Sequence, residues 1–186
     1  CFGFVFQEKS RRPFLVEKAE ALGIAAGPER GQLVAGHTIM LNDGRTITPD
    51  MVLGELVRGI KLVHIGDVGR TDNIRDYVAD ADTLVIESTF LSSEAEEAAH
   101  FGHLTARQAA ELAAETGVRS LILNHVSRRY REAAIIEEAR RYFPETYVAR
   151  DLDHFIIRRD QPIEKLAPEV VRARAVQVEQ EDHKEG

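Results

Sequence analysis

The sequence predicts an α/β fold with helices packed on a sheet, and three observations carry that prediction. From residue 60 onward, short apolar runs alternate with segments of helical periodicity: KLVHI (61–65), TLVIE (83–87), SLILN (120–124) and TYVA (146–149) are separated or flanked by 72–80, 93–100, 105–116 and 132–142. Two of the helical segments open on capping boxes, Ser93 with Glu96 and Thr105 with Gln108. In each, a hydroxyl takes an orphan amide and the later side chain reaches back to the first. Finally, three of the apolar runs lead directly into a polar, chemically able residue: Asp67, Glu87 and His125.

Taken in order, the opening CFGFVFQ sets Phe2, Phe4 and Phe6 at period two, the pattern of a strand with one aromatic face. VEKAEALG reads as a short helix ended by Gly23, and GIAAGPERG as a loop punctuated by Gly27-Pro28. TIMLNDGRTIT reads as a hairpin about Asn42-Asp43-Gly44, residues that tolerate positive φ. Residues 8–58 therefore read as a turn-rich, arm-like insertion between a first core strand at 1–7 and the alternating region at 59–159. Gly117 and Pro144 mark helix ends, and HFIIRR (154–159) is the last expected strand. Residues 160–186 are charge-rich with weak periodicity, so a frayed helix or disorder is expected there.

The totals bound the function. A chain of 186 residues fits one domain or a large piece of one. Its net charge of −7 excludes a broad basic surface for nucleic acid, although local basic clusters can still hold a few phosphates. No apolar run approaches the ~20 residues of a membrane span. A single cysteine allows no internal disulfide and favours a reducing, cytoplasmic compartment. The chain opens at Cys1, with no signal-peptide pattern, as expected of a processed or truncated product.

Ligands of open α/β sheets bind beyond the carboxyl ends of strands, where loops converge over a rigid edge. Asp67, Glu87 and His125 could share one such cleft. His103, two residues before the Thr105 cap, stands at a helix N-terminus that favours an anion. Each has a plainer reading: Asp67 as a cap for the 72–80 helix, Glu87 as a surface acid, His125 as a structural histidine, His103 as an ordinary residue before a cap. The basic runs RRYRE and EEARRY are most simply solvated helix faces. Jointly, imidazole and carboxylate without cysteine suit zinc or manganese. Neighbouring arginines suit a phosphorylated substrate, because the planar fork matches phosphate oxygens in pairs.

GDVGRTDN (66–73), ESTF (87–90), GHLTARQAA (102–110) and LNHVSRRY (123–130) resemble, in order and rough spacing, the motifs of ribonuclease Z, the tRNA 3′-processing endoribonuclease of the metallo-β-lactamase superfamily. FGFVFQEK, LGIAAGP and LNDGRTI resemble that family's tRNA-gripping arm and its return, so the likeness covers residues 1 to about 157. It implies the C-terminal portion of an αββα sandwich with an inserted arm. By the same resemblance Asp67 bridges two zinc ions and His125 is a terminal ligand of one; the donor chemistry keeps manganese as the alternative metal. His103 protonates the departing oxygen and Glu87 orients it. Ser127, Arg129 and Tyr130 lie by the scissile phosphate, while Lys9, Arg11, Arg12 and Lys18 grip the tRNA. The implied reaction is hydrolysis of the precursor tRNA 3′ trailer by a metal-bridging hydroxide, in a homodimer. Val68 stands where the family usually has threonine, and the family's His-x-His-x-Asp-His motif is absent from the chain. Alone it is expected to be inactive and to need a missing N-terminal half. The alternatives are a hydrolase of the same fold acting on another ester, phosphodiester or lactam, and a non-catalytic structural or interaction fragment.

Overall fold

The computed structural model describes residues 2–171, which divide into two compact units: residues 2–7 with 60–171, and residues 8–59. The first unit opens with β1 (Gly3–Gln7). The second contains α1 (Val16–Ala21), α2 (Pro28–Val34), β2 (Ile39–Met40), β3 (Thr46–Ile47) and α3 (Pro49–Val52). The first unit then resumes with β4 (Lys61–Ile65), α4 (Arg75–Val78), β5 (Thr83–Glu87), α5 (Ala95–Phe101) and α6 (Ala106–Glu115). It continues through β6 (Leu121–Asn124), α7 (Glu132–Arg140), β7 (Thr146–Val148), β8 (Phe155–Ile156) and β9 (Glu164–Lys165).

Five strands make one sheet in the order β1-β4-β5-β6-β7. From β4 to β7 every pairing is parallel, and β1 runs antiparallel to β4. Parallel neighbours cannot be joined by a tight turn, so each requires a crossover, which the helical segments supply. Val63, Ile65, Leu84, Ile86, Leu121 and Leu123 of the sheet are buried against Leu112 and the alanines of α6, and against Ile135 and Ala139 of α7. Ala106, Ala109, Ala110 and Ala113 keep one spacing of the helix repeat on a single buried stripe. Ile86 is fully buried in that core. We expect Ile86→Ala to cost about 2–5 kcal/mol, read as a lower urea midpoint at unchanged slope.

The second unit has its own core of Ala19, Ile24, Leu33, Ile39, Ile47 and Val52. Two of its elements differ from the sequence reading. Pro28, read as loop punctuation, opens α2 at the first helical position, where its missing N–H is no loss. The single turn α3, starting at Pro49, is too short to show periodicity. The expected hairpin forms, pairing β2 with β3, and Gly44 supplies the positive φ of 84° at its turn.

In the first unit the 72–80 helix shrinks to the one-turn α4, and the 132–142 helix ends at Arg140. The Thr105–Gln108 box forms with both of its bonds: Gln108 N–H donates to Thr105 Oγ1 at 3.2 Å and Thr105 N–H to Gln108 Oε1 at 2.9 Å. The Ser93–Glu96 box does not form. Ser92–Glu94 is a 3-10 turn, and α5 starts behind Glu94 without a side-chain cap. Glu138 of α7 provides the acceptor instead, taking the Ser92 amide at 3.0 Å and its hydroxyl at 2.7 Å. The expected strand HFIIRR is only Phe155–Ile156, and it pairs with β9 in the segment expected to fray. Ile163 and Leu166 are buried there. The rest of that expectation, 172–186, and Cys1 lie outside the described residues. Among those described, no helix is long and apolar enough to cross a membrane.

Candidate metal centre

The carboxyl ends of three adjacent strands carry the site. Asp67 follows β4 by two residues, Glu87 is the last residue of β5, and His125 is the first after β6. His125 leaves its strand at a φ of 52°, a left-handed conformation that costs a side chain other than glycine about 1–2 kcal/mol. His103 arrives from the α5–α6 connection, held just ahead of the Thr105 box, with its backbone N–H on Ala98 O at 2.8 Å.

These side chains converge. Asp67, His103 and His125 each offer a ligand atom, and the three atoms lie within 4.8 Å of one another. His125 Nε2 is 3.8 Å from Asp67 Oδ1, and the two imidazole rings stack with centroids 5.3 Å apart. The side chains of Asp67 and His125 are half exposed at the mouth, and His103 is 20% exposed. Glu87 lies fully buried beneath them. Its two oxygens accept from Val68 N–H at 2.8 Å, Thr89 N–H at 3.3 Å and the Thr89 hydroxyl at 2.6 Å, and Oε1 meets His103 Nδ1 at 2.8 Å. The plainer readings of both acids are thereby corrected. Asp67 does not cap α4, whose N-cap is Ile74, and Glu87 is not a surface acid.

Close backbone packing brings the Asp67 loop to His103. A Cβ on Gly69 would stand 2.8 Å from Gly102 Cα, so only glycine admits this approach. A groove of about 750 Å³ opens beside Asp67, lined in part by Phe2, Ile65, Arg70, Ile74 and Tyr77.

The turn after His125 carries Ser127, Arg129 and Tyr130. Arg129 lies over the rings of Phe90 at 5.4 Å and Tyr130 at 5.7 Å, and reaches Glu94 at 3.4 Å. Its amide donates to Ser127 Oγ at 3.4 Å, and Tyr130 Oη is buried without a hydrogen bond among the described residues. In the second unit, Lys9, Arg11 and Lys18 are exposed. Arg12 is engaged within its own unit, with Gly54 O at 2.8 Å and Asp50 at 2.5 Å. That unit carries as many acidic as basic residues, so any anion contact there is local.

Three residues of this arrangement went unread in the sequence: Thr89, Gly69 and Phe90. Thr89 Oγ1 touches both Glu87 and His125 Nδ1, the latter at 2.8 Å, and Phe90 lies 6.1 Å from the His103 ring. For Thr89 and Phe90 the available signal was their place in ESTF, just beyond Glu87, and for Gly69 its place two residues after Asp67 in GDVGRTDN.

A mainly parallel sheet thus gathers acids and imidazoles at one edge. The beta-lactamase superfamily domain matches residues 25–126, more than half of the chain, and the chain belongs to that family. Within it, the ribonuclease Z likeness drawn from the motifs is borne out. The chain is 48% identical over 156 residues to the ribonuclease Z of Bradyrhizobium diazoefficiens, covering 84% of this chain and 52% of that protein. It is 46% identical to that of Bradyrhizobium sp. (strain ORS 278), over the same shares. The chain spans about half the length of the curated relatives it matches. Among solved structures, the short form of human tRNase Z overlaps partially, with a TM-score of 0.40 at 27% identity over 52% of this chain and 34% of that one.

Proposed function

We propose that this chain is the C-terminal portion of a ribonuclease Z-like, metal-dependent phosphodiesterase that removes the 3′ trailer of precursor tRNA. The observation that supports it most is the convergence of Asp67, His125 and His103 at one strand edge over the buried Glu87.

The donor set fits a borderline metal such as zinc, with manganese as the alternative. Asp67 and His125 are its holders on this chain. A two-zinc centre needs further ligands, which the absent N-terminal half with its His-x-His-x-Asp-His segment would bring. A bound metal pair supplies charge neutralisation and an activated water. His103, with Nδ1 on Glu87, turns Nε2 to the cleft, where it can hold a proton and pass it to the departing ribose oxygen. Arg129, steadied by Phe90 and Tyr130 and close to Ser127, exchanges Glu94 for a phosphate. Lys9, Arg11 and Arg12 in the arm-like unit contact the tRNA body, in a homodimer in the cytoplasm.

The test is cleavage of a precursor tRNA with a 3′ trailer by the complete protein. His125→Ala is expected to abolish metal-dependent cleavage. His103→Ala is expected to keep its metal, by elemental analysis, and to slow turnover by ~10²-fold or more. Wild-type turnover in the second variant removes His103 from the reaction. Activity on a bis-aryl phosphate with no tRNA cleavage assigns the protein to another hydrolase of the fold.

A further inference from the structure

The geometry points to Thr89 as a positioning residue: its hydroxyl couples the buried Glu87 to His125 and decides which nitrogen of that imidazole faces Asp67. This inference rests on the metal-centre reading above and adds to it a residue with no ligand atom of its own.

The argument is a count of protons. Glu87 accepts from three donors, the Val68 and Thr89 amides and the Thr89 hydroxyl, and a carboxylate so engaged leaves His103 Nδ1, at 2.8 Å, the donor's part. Its oxygens therefore act as acceptors throughout. A threonine hydroxyl has one proton and two lone pairs. At 2.6 Å from Glu87 Oε2, that proton is committed to the carboxylate. The hydroxyl can then only accept at its ring contacts, closely from His125 Nδ1 at 2.8 Å and more weakly from His103 Nδ1 at 3.4 Å, whose N–H is directed to Glu87. His125 Nδ1 must therefore carry the N–H. A neutral imidazole has a single N–H, so Nε2 is left with a bare lone pair.

The consequence appears at the mouth of the site. With the ring neutral, His125 Nε2 faces Asp67 Oδ1 at 3.8 Å as one acceptor toward another. Facing acceptors repel, and a cation bound by both removes the repulsion. The same count at His103, whose Nδ1 sits 2.8 Å from Glu87 Oε1, leaves a second lone pair at its Nε2. One fully buried carboxylate thus orients both rings, His103 directly and His125 through Thr89. Groups that hold the far nitrogen of a ligand imidazole set the orientation and basicity of the near one, and their loss typically lowers metal affinity 10- to 100-fold. Thr89 is 9% exposed, so water cannot readily replace its hydroxyl.

The experiment uses the complete protein and three forms: wild type, Thr89→Val, which keeps shape and loses the hydroxyl, and Thr89→Ser, which keeps the hydroxyl. Zinc affinity is measured by competition with a chelating dye. Imidazole tautomers are read from nitrogen-15 spectra of the metal-free protein at alkaline pH. Expected are the Nδ1–H tautomer of His125 in wild type and Thr89→Ser, and a shift toward Nε2–H in Thr89→Val. Zinc affinity of Thr89→Val should fall about 10- to 100-fold, with Thr89→Ser near wild type. A valine variant with unchanged tautomer and unchanged affinity overturns the role of Thr89. If wild type binds no zinc, the metal-centre reading fails, and the metal-free spectra still decide whether Thr89 sets the ring.

Discussion

Replacing Glu87 with alanine is expected to remove metal-dependent cleavage and to lower stability by about 3 kcal/mol or more. The side chain is fully buried and accepts from two backbone amides and a hydroxyl while meeting the His103 ring nitrogen. Truncation strands those donors where water does not reach, and each buried donor left unmade costs about 1–3 kcal/mol. Glu87→Gln separates packing from acceptor chemistry. The amide has nearly the same shape, but one end now donates. In either orientation its NH2 group meets donors, either Val68 and His103 or the two groups of Thr89. The glutamine variant should therefore keep most of its secondary structure while losing roughly 10²-fold or more in turnover. Urea midpoints, bound zinc and cleavage rate measured on the same preparations check this. A glutamine variant that binds zinc and turns over like wild type would reduce Glu87 to a filler of space.

The two acids and the strand-end histidine were legible in the sequence because a buried parallel strand writes its end plainly. An apolar run stops and a polar residue begins, as at Ile65 before Asp67 and at Leu123 before His125. His103 was legible for a local reason too, since the Thr105–Gln108 box fixes where α6 starts. What could not be read depends on neighbours distant in sequence. Ser93 has the spacing of a capping box, yet Glu138, 46 positions beyond Ser92, takes that turn for itself. Local propensity yields to a tertiary acceptor. Pro28 is equally at home in a loop and at the first position of a helix, and only the packing of Leu33 into the second core decides between them. The aromatic face of β1 announces a strand but not its partner, which is β4 in antiparallel register across the whole second unit. Thr89 is the clearest case. Its hydroxyl matters because His125 comes within 2.8 Å of it from 36 residues away, and no spacing rule anticipates that.

Gly69→Ala is expected to cut turnover about 10²-fold while leaving the sheet intact, because its effect falls on the Asp67 loop alone. An added Cβ would meet three backbone atoms of Gly102: Cα at 2.8 Å, C at 2.9 Å and O at 3.1 Å. None of these can swing aside as a flexible side chain would. The Gly102 side is anchored, since His103 next to it bonds to Ala98 O through its amide and to Glu87 through its ring. The Asp67 side is tied mainly by Val68 N–H on Glu87. Relief therefore comes from displacing residues 67–69 by about half an ångström or more. That moves Asp67 away from His125 and strains the Val68 bond together. A shift of about 1 Å at a reacting centre can cost 10²-fold in rate, whereas the core of β4, β5 and β6 is untouched. The urea midpoint should stay near wild type while zinc affinity and kcat/KM both fall. Gly69→Ser, with the same Cβ, should behave alike. An alanine variant with native zinc affinity and native kcat/KM would mean that the Asp67 loop can yield without disturbing the site, and that the Gly69–Gly102 contact does not position the carboxylate.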